Sequence, residues 1–181
     1  MILTTRTIVV AGVLAAISVL LGFTGLGHIP VPNITGSATI MGVPAYIGAV
    51  VEDWPVGLAI GFIFGLSSFA QAILPLFKDP IVAILPRLFI GVTPYLAYRA
   101  LRGRDEILAF GVAGAVGSAT NAVLVVGAII LRRYATFAQM LTVIPQAVAE
   151  LVLSVVLTVA VCAAASRIQV GRRESRISRA G

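Results

Sequence analysis

The sequence predicts an all-α integral membrane bundle of six transmembrane helices, the second short or kinked, with both termini cytoplasmic. Composition, the spacing of chain breaks and the placement of basic residues each point there. Of the 181 residues, 59% are hydrophobic and 11% charged, and the mean hydropathy is +1.06. Soluble domains carry about a quarter charged residues, so this chain has too few to cover a surface in water. Crossing a hydrocarbon layer of about 30 Å takes about 20 residues per helix. Six such segments nearly exhaust the length.

Glycine, proline and charge punctuate the apolar runs. The first run covers about 7–26, and the Gly/Pro-rich stretch 27–36 after it cannot be helical throughout. The second, about 38–51, is short and contains Pro44, so it is expected to be tilted, kinked or partly inserted. Glu52, Asp53, Trp54 and Pro55 end it, with Trp54 a candidate interfacial anchor. The third run covers 56–73, and 74–80 reads as a polar turn. The fourth, fifth and sixth cover about 81–101, 107–131 and 141–166. Residues 1–166 therefore form one membrane domain, and 167–181 a basic tail expected to be disordered.

Orientation follows from the lysines and arginines. Six crossings put Arg6, Arg99, Arg102, Arg104 and the tail's Arg167, Arg172, Arg173, Arg176 and Arg179 on one side, against Lys78, Arg132 and Arg133 on the other. The richer side is assigned to the cytoplasm. The net charge of +6 is thus explained by topology. With no basic face and no interleaved aromatics, nucleic-acid binding is not expected. A single cysteine, Cys162, and a single histidine, His28, make a metal site improbable, and no cofactor is implied. A signal-peptide reading of 1–25 is an alternative for the first run only, and it lacks a clean cleavage site.

Small residues form strips at helical spacing. Gly57, Gly61 and Gly65 lie on one face of the third run, and Gly111, Gly114 and Gly117 mark the fifth. Such strips let helix backbones approach closely, and the Gly57 strip is expected inside the bundle. On the first run, Ala11 with Ala15 and Gly12 with Ala16 make a flat strip that is either internal packing or a docking face for a partner protein.

Polar side chains within the bilayer are rare and usually functional. Here they are Arg87, Asn121, Gln146 and Glu150. At about 1.5 Å per residue, Arg87, Asn121 and Glu150 all lie about 20–24 Å from the cytoplasmic ends of their helices. Gln146 shares a helix face with Glu150. Convergence from three helices predicts a polar pocket opening outward; an Arg87–Glu150 ion pair that only ties helices together is the alternative. Arg87 suits a ligand carboxylate through its planar fork, and the amides suit hydroxyl and amide groups. Pro86 and Pro145 each free a backbone carbonyl beside these residues. Pro30, Pro32 and Asn33 form a stiff element between Gly25, Gly27 and Gly36, as a lid needs. Asn33, Gln71 and Asp79 are candidates for the pocket mouth, with a solvated surface role the alternative for each. No Walker, Gly-x-Ser-x-Gly or His-Glu-x-x-His motif occurs, so an enzyme is not expected.

The segments GSATIMGVPAYIGAV (36–50), GLAIGFIFGL (57–66) and DPIVAILPRLFIG (79–91) resemble the substrate-binding S components of energy-coupling factor (ECF) vitamin transporters. The resemblance implies a six-helix fold with an outward pocket lined by the later helices and covered by the first extracellular loop. It also implies docking of the first helix, through the Ala11/Ala15 strip, onto a transmembrane T component carried by two cytoplasmic ATPases. Within the family the chain is most similar to the pantothenate-type branch, whose ligand offers a carboxylate for Arg87. Two other functions remain open. One is a stand-alone carrier or facilitator for a small organic anion, against which the absence of an inverted repeat argues. The other is an intramembrane enzyme using Arg87 and Glu150.

Overall fold

A computed structural model of the chain describes residues 4–30, 35 and 37–177, with side chains as far as 168. Helix α1 (Thr5–Phe23) leads into a two-stranded antiparallel hairpin, β1 (His28–Pro30) and β2 (Ser37–Thr39). Helices α2 (Val43–Val51) and α3 (Trp54–Ala70) follow, then a 3₁₀ turn at Pro75–Lys78. The fourth crossing is three short helices, α4 (Pro80–Ala83), α5 (Leu85–Phe89) and α6 (Thr93–Leu101). Helix α7 (Glu106–Leu131) is the fifth, and α8 (Phe137–Met140) with α9 (Ile144–Ile177) completes the sixth. Six helical segments are present as expected. Among the described residues, four stretches, Thr5–Phe23, Pro80–Leu101, Glu106–Leu131 and Phe137–Ile168, are long and apolar enough to cross a membrane.

The departures from expectation have physical causes. Pro44 does not kink the second segment. It lies in the first turn of α2, where its missing N–H is no loss. Ala38 and Thr39 precede that helix as strand. At nine residues α2 is about 14 Å long, under half the hydrocarbon thickness. It survives because every residue from Val43 to Ala49 is buried by neighbouring helices, and irregular backbone is tolerated at membrane depth when protein encloses it. The stretch 74–80 is no solvated polar turn either, since Leu76 and Asp79 are both buried. At the C-terminal end, α9 does not stop at Ser166 but runs to Ile177, through a stretch rich in arginine and other good helix formers.

The fourth crossing is broken by its own sequence. Pro80, Pro86 and Pro94 each sit in the first turn of one of its three helices, because proline can start a helix but not continue one. Glycines then let this broken segment press against α3. A Cβ on Gly61 would collide with the backbone carbonyl of Arg87, and one on Gly57 with the backbone of Gly91 and the side chain of Ala49. Gly65 closes on Ile84 in the same way. The strip is internal, and it fixes the depth of Arg87 through backbone contact. Gly114 plays the equivalent part between α7 and α9, where a Cβ would meet the carbonyl of Ser154 at 2.7 Å.

Helix α1 packs on α2 and α3. Thr7, Ala15, Ser18 and Gly22 make its buried face, and the Ser18 hydroxyl donates to the Met41 carbonyl at 2.8 Å. The small residues divide between two faces. Ala15 belongs to the core and Ala11 packs against that core, so this pair takes the internal-packing alternative, in place of the docking face that the resemblance implies. Gly12 and Ala16 lie on the exposed face with Ile8, Val9 and Val13. The helical spacing defines the strip, but a helix apolar all round carries no signal for which side faces the bundle.

Gly61→Ala is expected to lower the unfolding temperature of the purified protein, with a cost of about 1–3 kcal/mol for forcing a methyl into a rigid backbone contact. Gly12→Ala, where nothing lies within 4 Å, is the control and should leave the temperature unchanged or raised. Equal effects in a thermal-shift assay would contradict the packing described.

Candidate functional site

Arg87 begins with Pro86. Lacking an N–H, Pro86 cannot bond the carbonyl four residues before it, that of Val82. The Arg87 guanidinium takes that freed acceptor: Nη1 donates to the Val82 carbonyl at 2.5 Å. The plane of the cation is flanked by Phe64 and Phe77, with ring centroids 5.4 and 5.7 Å from Cζ, within cation–π range. Only 3% of the residue is exposed. Its Nε is buried with no hydrogen-bond partner. The ion pairs among the described residues are Arg6–Glu52 and Arg132–Asp79; Arg87 and Glu150 do not form one.

Arg87 stands between two chambers. The larger, about 470 Å³, lies between the end of α1, the hairpin, α3 and the 71–77 connection. Its wall is apolar at Met41, Phe64 and Leu74 and polar at His28, Gln71 and Arg87. Partial burial lowers the pKa of His28 below the ordinary imidazole value. The amide nitrogen of Gln71 is buried without an acceptor. The smaller chamber, about 50 Å³, lies behind β2 and is lined by Asn121, Gln146 and Glu150 together with Arg87. Asn121 is 7% exposed and its Oδ1 has no donor. Strand β2, Phe77 and Arg87 border both chambers.

Gln146 and Glu150 of α9 are engaged with the hairpin. Oε1 of Glu150 accepts from the Thr39 N–H at 2.6 Å and from Nε2 of Gln146 at 3.0 Å. Nε2 of Gln146 also donates to the Ser37 carbonyl, and its Oε1 accepts from the Thr35 hydroxyl. The α9 pair therefore holds the covering loop down, which gives the hairpin a polar clasp on one side and its Gly25 turn, at φ +73°, on the other.

Of the sequence candidates, Arg87, Asn121, Gln146 and Glu150 come together as a group around the small chamber, and Gln71 lines the large one. Asn33 lies outside the described residues. Sequence reasoning missed Phe64, Phe77 and the Ser37–Thr39 strand. Aromatic residues are unremarked in an apolar run, and three-residue strands leave no periodic trace. It also read Asp79 too weakly. That carboxylate is buried, caps α4 by accepting from the Ile81 N–H, and pairs with Arg132.

The fold and site define a class: a multi-pass helical membrane protein with a solute-sized cavity beneath a hairpin cover. The chain belongs to the family described as ECF transporter, substrate-specific component, which it matches over residues 6–162. It is thereby a substrate-binding transporter subunit. It is 28% identical over 155 residues, covering 71% of this chain and 78% of the relative, to the pantothenic acid transporter PanT of Lactococcus lactis subsp. cremoris (strain MG1363). Its fold is similar to that of ThiT from Listeria monocytogenes, with a TM-score of 0.66 at 15% identity, covering 90% of this chain and 96% of that one.

Glu150→Ala is expected to speed hydrogen exchange at the Thr39 amide about fivefold, the equivalent of about 1 kcal/mol for one net hydrogen bond. Unchanged protection of 37–39 would contradict the clasp.

Proposed function

We propose that this chain captures pantothenate from the outer side of the cell membrane, and that it delivers it in complex with a T component and two cytoplasmic ATPases. The observation that carries the reading is Arg87, a buried guanidinium at a solute-sized cavity with an unsatisfied Nε and no acidic partner within ion-pair distance among the described residues. An intramembrane cation is costly to leave unpaired, and a ligand carboxylate satisfies it. Asn121 Oδ1 is the natural acceptor for a ligand hydroxyl or amide N–H, and Gln71 Nε2 the natural donor to a ligand carbonyl. Pantothenate carries all of these groups, and the 28% identical relative is a pantothenic acid transporter. Glu150 and Gln146 serve the ligand indirectly, by holding the cover.

The ATPase partners supply the hydrolysis this chain has no motif for. Docking uses the exposed side of α1, where the small residues Gly12 and Ala16 lie among Ile8, Val9 and Val13; Ala11 and Ala15 support that helix from behind. The basic bias of the connections and tail puts both ends of the chain in the cytoplasm.

Arg87→Met, which keeps the stem and removes the charge, is expected to weaken pantothenate binding at least about thirtyfold, for a loss of about 2 kcal/mol or more. Isothermal titration on the purified chain reads this directly, and unchanged affinity would sink the anchoring role. In proteoliposomes the chain alone should not accumulate pantothenate, whereas co-purified complex with internal ATP should. Uptake by the chain alone would favour a stand-alone carrier.

A further inference from the structure

The outer end of α7 closes on the segment that carries Arg87, and it does so through an unusual helix end. Arg133 adopts φ +58°, a left-handed conformation normally given to glycine. The Arg133 N–H bonds the Ile130 carbonyl and the Tyr134 N–H bonds the Ile129 carbonyl, the reversed pairing of a Schellman end. The reversal turns Arg132 and Tyr134 back onto one carboxylate. Nε of Arg132 donates to Oδ2 of Asp79 at 2.5 Å, and the Tyr134 hydroxyl approaches the same oxygen at 3.4 Å. The other oxygen of Asp79 accepts from the Ile81 N–H, and its backbone carbonyl accepts from Val82 and Ala83.

Asp79 thus spends one side-chain oxygen on capping a four-residue helix, α4, which is too short to hold itself, and the other on tying that cap to the end of α7. Val82 of that helix is fully buried in an apolar cluster with Val125, Ala128 and Ile129 of α7. Its carbonyl is the acceptor for Arg87 Nη1. A continuous set of contacts therefore runs from the end of α7 to the guanidinium: Arg132 to Asp79, Asp79 to α4, and Val82 to Arg87.

We infer that Asp79 and Arg132 are positioning residues for Arg87, fixing the α4 carbonyl that aims the guanidinium at the cavity and so setting selectivity for anionic over neutral ligands. Neither residue touches the ligand. The inference rests on the anchoring role proposed above for Arg87, and it assigns a function to a pair that otherwise reads as a surface tie between two loops.

The variant of choice is Arg132→Gln, because Arg132 is half-exposed and its loss leaves the Asp79 cap on Ile81 intact. Binding of pantothenate is compared with that of pantothenol, in which an alcohol replaces the carboxylate. In Arg132→Gln, pantothenate affinity should fall about tenfold while pantothenol affinity changes less than twofold. In the Arg87→Met background, adding Arg132→Gln should change neither. Equal losses for both ligands, no loss, or a loss that persists without Arg87 would each overturn the inference. If the unaltered protein fails to prefer pantothenate, or Arg87→Met leaves the preference intact, the anchoring role itself is wrong. A crystal structure of Arg132→Gln then decides the positioning claim alone: it stands if α4 has moved and the Arg87–Val82 contact is lost, and falls if both are retained.

Discussion

A guanidinium held beneath the membrane surface by one backbone carbonyl is the contact on which the rest of this molecule depends. A charged group at that depth needs compensation, and the chain supplies it locally. Pro86 strips Val82 of its helical donor, and the next residue in sequence provides a replacement. Phe64 and Phe77 flank the cation without neutralising it. The result is a charge stable enough to be buried but still short of one strong partner, which is the condition an anion-binding site requires.

Everything nearby serves that placement. The glycine strip of α3 is there because the backbone of α5 has to come close: at Gly61 the neighbouring atom is the Arg87 carbonyl itself. The breaks in the fourth crossing allow α4 and α5 to be oriented separately, so that one offers the acceptor and the other the donor. Helix α9 works on the opposite wall, where Gln146 and Glu150 bind the backbone and hydroxyl groups of the covering strand. In the proposed function, capture of a solute and closure over it are therefore divided between helices. The cation belongs to the fourth crossing and the clasp to the sixth.

Much of this was legible in the sequence, for reasons that can be stated. Helix number followed from hydropathy and punctuation, since the bilayer demands long apolar runs and tolerates few charges. Residue spacing alone pointed to Arg87, Asn121 and Glu150 as a group, and the three line one chamber. What stayed hidden depends on contacts distant in the chain or on azimuth. Asp79 looked like a turn residue because its partner, Arg132, is 53 positions away. That Glu150 accepts from a backbone N–H was hidden because the donor belongs to a three-residue strand far away in the chain. Whether Ala11 and Ala15 face the bundle or a partner stayed open because, in a helix greasy on every side, nothing in the composition marks the buried side. The prolines at 80, 86 and 94 were visible, but that they would divide the crossing into three helices depends on the glycines of α3 opposite.

The most direct measurement is a structure of the chain with pantothenate bound. The expected result is a carboxylate oxygen within hydrogen-bonding distance of Arg87 Nε, with Nη1 still on the Val82 carbonyl and the hairpin still clasped by Glu150. A carboxylate facing solvent, or one bound to other residues while the Arg87 Nε stays unpaired, would contradict it.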